Sequence, residues 1–196
     1  MAKNIIHQRD VTAIILAGGE GRRMNGQDKG LVSWKQRRLI EYALDAIPSD
    51  IAHTLISCNR NIDQYKLYGE TVQDEDPTYK GPLAGIYASM MHTSSPFIFV
   101  LPCDSPLAPG DVYFLLADAL NAGNADICYV HDGEREQYLF ALIRTQLKSS
   151  LKEYLSRGNR QVNHWYKQHN YVEADLNGQQ FAFRNCNTII ELAELK

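Results

Sequence analysis

Eight residues, Phe97-Ile98-Phe99-Val100-Leu101-Pro102-Cys103-Asp104, limit the fold more than any other stretch of this chain. Both alternating faces of the run are apolar as far as Leu101. A strand with one wet face would alternate with polar residues. A strand that is apolar on both sides needs cover on both sides, which is the position of a central strand in a parallel sheet flanked by helices. The rest of the chain supplies the neighbours. Thr12 to Leu16 and Thr54 to Ser57 read as buried strands, and Thr71 to Gln73 as a short third one. Leu39, Ile40, Ala43, Leu44 and Ile47 have helical spacing closed by Pro48. A short helix follows Asn61, another runs from Gly81 to about His92, and Pro109 is expected to start one carrying Leu115, Leu116, Ala119 and Leu120. Strand and helix alternate through this half, which predicts a single-domain, Rossmann-like, doubly wound and mostly parallel α/β sheet with helices on both faces.

The second half is less regular. "ADICYV" and "YLFALI" read as strands joined by "HDGERE", and "SSLKEYLSRG" as a helix ended by Gly158. "YVEADL" and "FAFRN" read as late strands, and "TIIELAEL" as a final helix. The 196 residues contain no repeat and no linker, so one domain over 1–196 is expected. The net charge of −3 argues against general nucleic-acid binding. No apolar run approaches the ~20 residues of a membrane span, and the first residues lack the apolar core of a signal peptide. Cys58, Cys103, Cys128 and Cys186 form no C-x-x-C pair. Scattered thiols of this kind fit a reducing compartment, so a cytoplasmic location is the expectation and zinc is not.

Ligands of such sheets gather at the carboxyl ends of the strands. That rule selects Leu16 to Gly30, Ser57 to Arg60, Asp74 to Asp76, and Cys103 to Ser105. The first segment, LAGGEGRRMNGQDKG, holds five glycines, two arginines and a lysine. It fits neither G-x-G-x-x-G nor G-x-x-x-x-G-K-[ST]. Gly18, Gly19 and Gly21 let backbone N–H groups approach an anion closely. Arg22, Arg23 and Lys29 add more positive charge than one phosphate needs, which points to a triphosphate. A tight turn with solvated basic residues is the plainer alternative. Asp104, at the end of the apolar strand, is either a helix cap or a hard oxygen ligand. Beside a triphosphate loop the ligand reading selects Mg²⁺, which takes one or two carboxylates plus phosphate oxygens.

"LAGGEGRRMNGQDKGL", "GPLAG", "PCDSP" and the late "NCNT" closely resemble the molybdenum cofactor guanylyltransferases, within the MobA-like nucleotidyltransferases. The likeness runs from Ile14 to Leu192. It implies transfer of GMP from GTP onto molybdenum-bearing molybdopterin, with pyrophosphate released. By position, it implies that Leu16, Ala17, Gly18 and Gly19 contact the nucleotide and that Lys29, with Arg23, serves the phosphates. Asn59 and Asp74 would meet the guanosine, and Asp104 would hold Mg²⁺ and GTP. Residues 11–110 would then be the GTP half and 125–196 the molybdopterin half. In that second half the resemblance implies contacts from His131 and Arg135 in "VHDGEREQ", from Arg160 with Arg157, and from Asn185 and Asn187. Read alone, "HDGERE" is also a charged turn, Arg157 also complements a helix end, and Trp165 and Tyr166 are either core or an aromatic face for the pterin. Two departures stand out: Ser57 replaces an asparagine common in the family, and Asn25 a glycine. The resemblance further implies molybdenum-insertion proteins and molybdoenzyme chaperones as partners. Rival readings are a cytidylyl- or sugar-phosphate nucleotidyltransferase, which Ala17-Gly18-Gly19 disfavours, and a non-catalytic nucleotide-binding module, which Lys29 with Asp104 disfavours.

Overall fold

The structure, a computed structural model, describes residues 6–18, 27–74, 81–186 and 188–195. Strand β1 (Val11–Leu16) is followed by a small hairpin, β2 (Ser33–Trp34) and β3 (Arg37–Arg38), and helix α1 (Leu39–Asp45). Then come β4 (His53–Ser57), α2 (Ile62–Tyr65), β5 (Glu70–Val72), α3 (Pro82–Met91), β6 (Phe97–Pro102) and α4 (Val112–Gly123). The second half contributes β7 (Ile127–His131), β8 (Glu136–Arg144), α5 (Lys148–Ser156), α6 (Val162–Tyr166), β9 (Tyr171–Asp175) and α7 (Ile189–Glu194).

The main sheet has seven strands in the order β5-β4-β1-β6-β8-β7-β9. Strand β6 lies at its centre, and all six of its residues are buried. Strands β5, β4, β1 and β6 run parallel. Strand β8 is antiparallel to both β6 and β7, while β9 pairs parallel with β7. The sheet is therefore mixed and mostly parallel.

Alternate residues of the strands feed opposite cores. Ala13, Ile15, Phe99, Leu101, Cys128 and Val130 pack with Ile40 of α1, Tyr65 of α2, and Val112 and Leu116 of α4. Ile14, Ile98, Val100, Ile127, Tyr129 and Ile143 pack with Leu83 and Ile86 of α3, Leu151 of α5, and Trp165 of α6. This division is the reason the central strand is apolar at every position. A third cluster joins Val32 and Trp34 of the hairpin region to Cys186, Leu192 and Leu195, so the end of the chain returns to the edge of the first half.

Several expectations need correction. "FAFRN" is not a strand: residues 180–183 form a turn, in which Phe183 is buried edge-on against Phe140 at 5.0 Å while Phe181 is 53% exposed. Helix α4 starts at Val112 rather than Pro109, with Asp111 at its N-cap. The hairpin β2–β3 and helix α6 were not expected. Helix α5 does end as expected, with Gly158 at φ +84° donating its N–H to the Leu155 carbonyl.

Helix α3 sits unusually close to the end of β4. A methyl built on Gly85 would run into the Ser57 hydroxyl oxygen and lie 3.2 Å from Ser57 Cβ and 3.4 Å from Leu16 Cδ2. Alanine normally stabilises a helix interior by ~1 kcal/mol over glycine. Here overpacking should dominate, and Gly85→Ala should lower stability by about 1–3 kcal/mol. Adding Ser57→Ala should recover part of the loss, measured as the urea midpoint. Equal losses in single and double variants would show that the Ser57 hydroxyl is not what the glycine accommodates.

Candidate active site

Backbone pairing brings four chain segments to one point. Leu16 is in register with Ser57 on one side and Pro102 on the other. Beyond the ladder, the Ala17 N–H donates to the Ser57 carbonyl at 2.9 Å, and the Cys103 N–H to the Leu16 carbonyl at 3.2 Å. The Cys58 N–H similarly reaches the Val72 carbonyl at 2.9 Å. The residues just past these ends therefore surround one cavity. Leu16, Ala17, Gly18, Lys29, Asn59, Asp74 and Asp104 all line it. Ser57, Gly81 and Cys103 also form part of its wall.

Two polar pairs dominate this cavity. The Lys29 ammonium donates to Asp104 Oδ2 at 2.9 Å, with the side chains 25% and 14% exposed. A cation and an anion are thus held together at the mouth of the central strand, and Asp104 does not act as a helix cap. Lys29 is fixed from behind by its neighbour. Asp28 is buried and accepts from the Tyr65 hydroxyl at 2.5 Å and from Asn61 Nδ2 at 3.2 Å. Gly30 lets Tyr65 come this close, since a Cβ there would lie 2.5 Å from its hydroxyl oxygen. Across the cavity, Asn59 Nδ2 donates to Asp74 Oδ2 at 2.8 Å, and the Asp74 N–H donates back to Asn59 Oδ1 at 2.9 Å. The other Asp74 oxygen, Oδ1, is buried with no partner among the described residues. Burial raises the Asp74 carboxyl above its ordinary range, against the opposing bond from Asn59. An unsatisfied buried acceptor is costly unless a ligand supplies the donor.

A second cavity of about 570 Å³ adjoins the first, a size in the roughly 300–1,000 Å³ range of small-molecule sites. Both share Pro82, Pro102, Leu139 and Asn185 as lining, so they meet beside the Lys29–Asp104 pair. Asn185 is placed there by the returning chain. Its Oδ1 accepts from the Ser105 hydroxyl at 2.7 Å, and the next N–H, of Cys186, donates to the Asp104 carbonyl at 2.8 Å. The larger cavity is walled by residues 135–140 and 161–164.

Of the residues expected on the acceptor side, Arg135 and Asn185 line this cavity. His131 does not; its Nδ1 accepts from the Gly133 N–H at 3.1 Å within the β7–β8 turn. Arg160 adjoins Gln161 of the wall, and its guanidinium donates to the carbonyls of Leu155 and Asn159 at 2.9 and 2.6 Å. Arg157 pairs with Glu153 on the surface of α5 at 2.5 Å. Trp165 and Tyr166 are fully buried core residues. The "HDGERE" turn is organised by Asp132, which is buried and accepts from the N–H groups of Glu134 and Arg135 at 2.9 Å and from Gln137 Nε2 at 2.6 Å. Burial opposes ionisation of Asp132, yet these donors hold its carboxyl below the ordinary range.

Gly19, Arg22, Arg23, Asp76 and Asn187 lie outside the described residues. The sequence reading missed Gln137, Tyr138, Gln161, Asn163 and His164 as cavity residues. Tyr138 had only a strand signal, Gln137 closed the "VHDGEREQ" segment without being singled out, Gln161 is the N-cap of α6, and Asn163 and His164 sit in a helix too short to show periodicity. All four cysteines are free and buried, and burial pushes the Cys58 and Cys186 thiols up to about 11. Among the described residues, no three His, Cys, Asp or Glu side chains cluster as a metal site, and no helix is long and apolar enough to cross a membrane.

Comparison with known proteins places this geometry. The family model for the MobA-like NTP transferase domain matches residues 13–173. The molybdenum cofactor guanylyltransferase of Shewanella halifaxensis is 41% identical over 179 residues, covering 91% of this chain and 90% of that protein. That of Aliivibrio salmonicida is 38% identical over 190 residues, covering 97% of each. The structure of molybdopterin-guanine dinucleotide biosynthesis protein A from Archaeoglobus fulgidus superposes with a TM-score of 0.76 at 23% identity, over 93% of this chain and 95% of that one. The 4-diphosphocytidyl-2C-methyl-D-erythritol synthase of Anaerococcus prevotii superposes at 0.74 with 12% identity, over 98% and 96%. The two solved structures share the fold, and a fold alone does not fix a substrate. Sequence identity over nearly the whole length does more: this chain belongs to the MobA-like NTP transferase family.

Proposed function

We propose that this chain transfers GMP from GTP to the terminal phosphate of molybdopterin. The guanine dinucleotide form of the cofactor is made and pyrophosphate leaves. The observation that carries the reading is the meeting of two cavities beside a paired lysine and aspartate. One cavity, at the ends of β1, β4 and β6, suits a nucleotide, and the other has room for a second ligand. Relatives at about 40% identity bear the guanylyltransferase name.

In this reading the guanine sits against Asn59 and Asp74. Guanine presents N–H donors at N1 and N2, and the unpartnered Asp74 Oδ1 is an acceptor of the kind they need. The triphosphate runs toward Lys29. An oxygen of the acceptor's phosphate attacks the α-phosphorus as the bond from that phosphorus to the β-bridging oxygen breaks. The attacking group is already an anion, so no general base is needed. The obstacle is charge: two like charges at ~4 Å repel by about 4 kcal/mol at an effective dielectric near 20. Lys29 offsets this and stabilises charge growing on the leaving pyrophosphate. Asn185, at the junction, orients the incoming phosphate. Arg23, Gly19 and Asn187 belong to the same proposal by their place in the motifs.

Asp104 also fits Mg²⁺. Its carboxylate is a hard oxygen donor without clustered acidic neighbours among the described residues, so phosphate oxygens and water would complete the shell, as this ion prefers. When bound there, the ion would supply charge neutralisation to the phosphates. Lys29 and Asp104 hold each other until a nucleotide arrives, which keeps both aimed at the junction.

The direct test is pyrophosphate release from GTP, CTP and UTP, each with and without molybdopterin. Release should require both GTP and the acceptor. Equal release with CTP would return the chain to the cytidylyl reading, and binding without any release would make it a non-catalytic module. Asp74→Asn should weaken GTP binding by about 10-fold, the scale of one lost hydrogen bond to a charged group, with acceptor affinity unchanged. Calorimetry that found unchanged GTP affinity would move the guanine elsewhere. Lys29→Ala and Asp104→Asn should each cut turnover by ~10²–10³. Because the two side chains are partners, the double variant should lose less than the product of the single losses. Asp104→Asn should also shift the magnesium titration to higher concentration, and an unchanged titration with near-normal turnover would remove Asp104 from the metal.

A further inference from the structure

The larger cavity contains an arrangement that core packing does not account for. Tyr129, Tyr166 and Tyr138 form a cluster of rings at the end of β8. Tyr129 and Tyr166 are 1% and 0% exposed and stack at 5.5 Å. Tyr138 packs against both, at 5.0 Å and 6.1 Å, but is only partly buried and lines the cavity. Its main chain is fixed as well, since the Tyr166 hydroxyl donates to the Tyr138 carbonyl at 3.0 Å. A ring buttressed on one side and bordering a cavity on the other is a prepared surface for a flat ligand, because little rotamer freedom remains to be lost.

The neighbouring charge makes the surface more specific. Glu136 lies two residues earlier on the same strand. It lines the same cavity beside Tyr138. Its own backbone N–H, helped by the nearby Tyr138 hydroxyl, holds the carboxyl below the ordinary range, so it is ionised at neutral pH. Neither Glu136 nor Tyr138 lines the nucleotide cavity, so both stand away from the junction. A carboxylate there repels phosphate and selects paired N–H donors, which a planar carboxylate accepts two at a time. Gln161, Asn163 and His164 on the facing wall offer groups for a mixed donor and acceptor edge.

We propose that Glu136 and Tyr138 form the seat of the acceptor's bicyclic ring: Tyr138 packs on its face, and Glu136 accepts the two adjacent N–H groups of its aminopyrimidinone edge. This rests on the reading of the larger cavity as the acceptor site. The seat also sets direction. With an anion at the ring's edge and Lys29 at the junction, the acceptor can bind only with its phosphate toward GTP.

The test uses Tyr138→Ala, Tyr138→Phe and Glu136→Gln. Guanylyl transfer to molybdopterin gives the Michaelis constants for acceptor and GTP separately. Quenching of 6-hydroxymethylpterin fluorescence reads ring binding without any phosphate. Tyr138→Ala should raise the acceptor constant by about 10-fold or more, the scale of lost base–aromatic stacking, and abolish binding of the pterin probe. The GTP constant should not move. Tyr138→Phe keeps the ring and should stay within about 3-fold of wild type, a margin set by loss of one hydroxyl bond. Glu136→Gln removes one charge at a surface-accessible position, so folding should survive. It should weaken the probe by about 10-fold, as loss of a bond to a charged acceptor does. Unchanged acceptor and probe constants in a folded Tyr138→Ala, or in Glu136→Gln if the alanine variant does not fold, would overturn the seat. Wild-type enzyme that transfers no guanylyl group to molybdopterin would instead overturn the functional reading beneath it.

Discussion

The pairing of β1 with β4 on one edge and β6 on the other is the constraint on which the rest of the molecule depends. Because all three run parallel, their carboxyl ends emerge together, with Leu16 beside both Ser57 and Pro102. Gly18, Asn59 and Asp104 then stand around one cavity although they are far apart in sequence. Parallel pairing also requires helices on both faces, which is why β6 carries no polar side chain before the cavity begins. Stability and site are consequences of one arrangement. The apolar alternation that fills two cores also places the polar residues at the strand ends.

The antiparallel insertion of β8 does the corresponding work for the second cavity. It lies against β6, so Leu139 and Tyr138 come alongside Pro102. The chain end supplies the closing piece. Cys186 binds the carbonyl of Asp104, and Asn185 lies between the two cavities. Lys29, Asp104 and Asn185 come from three distant parts of the sequence and converge where the account requires two polyanions to meet. Repulsion between those polyanions is the main barrier, so fixed charge, rather than a proton-transferring base, is what the junction offers.

Much of this was legible beforehand. The apolar runs gave β1, β4, β6 and β7 because burial on both faces leaves an unmistakable pattern; β9, also expected, is mostly exposed. Residues at the strand ends followed from the rule for open α/β sheets. The failures have physical causes. "FAFRN" alternates like a strand because one phenylalanine fills the core beside Phe140 and the other stays in solvent, which a turn can also achieve. The hairpin β2–β3 turns through Lys35 and Gln36 at φ +45° and +68°, conformations that ordinarily call for Asn, Asp or Gly, so no turn signal was present. For Arg160, an expected acceptor contact, charge alone could not reveal that its guanidinium also donates to main-chain carbonyls at the end of α5. Tyr138 carried only a strand signal, because its role depends on the pairing partner of β8.

The proposed transfer is direct across the junction, without a guanylyl group passing through Lys29 or any other side chain. Stereochemistry at the α-phosphorus tests it most directly. With the Sp isomer of guanosine 5′-O-(1-thiotriphosphate) as donor, a single in-line displacement inverts the configuration in the dinucleotide product. Inversion is the result this account predicts. Retention would mean two displacements and a covalent enzyme intermediate, and would contradict it.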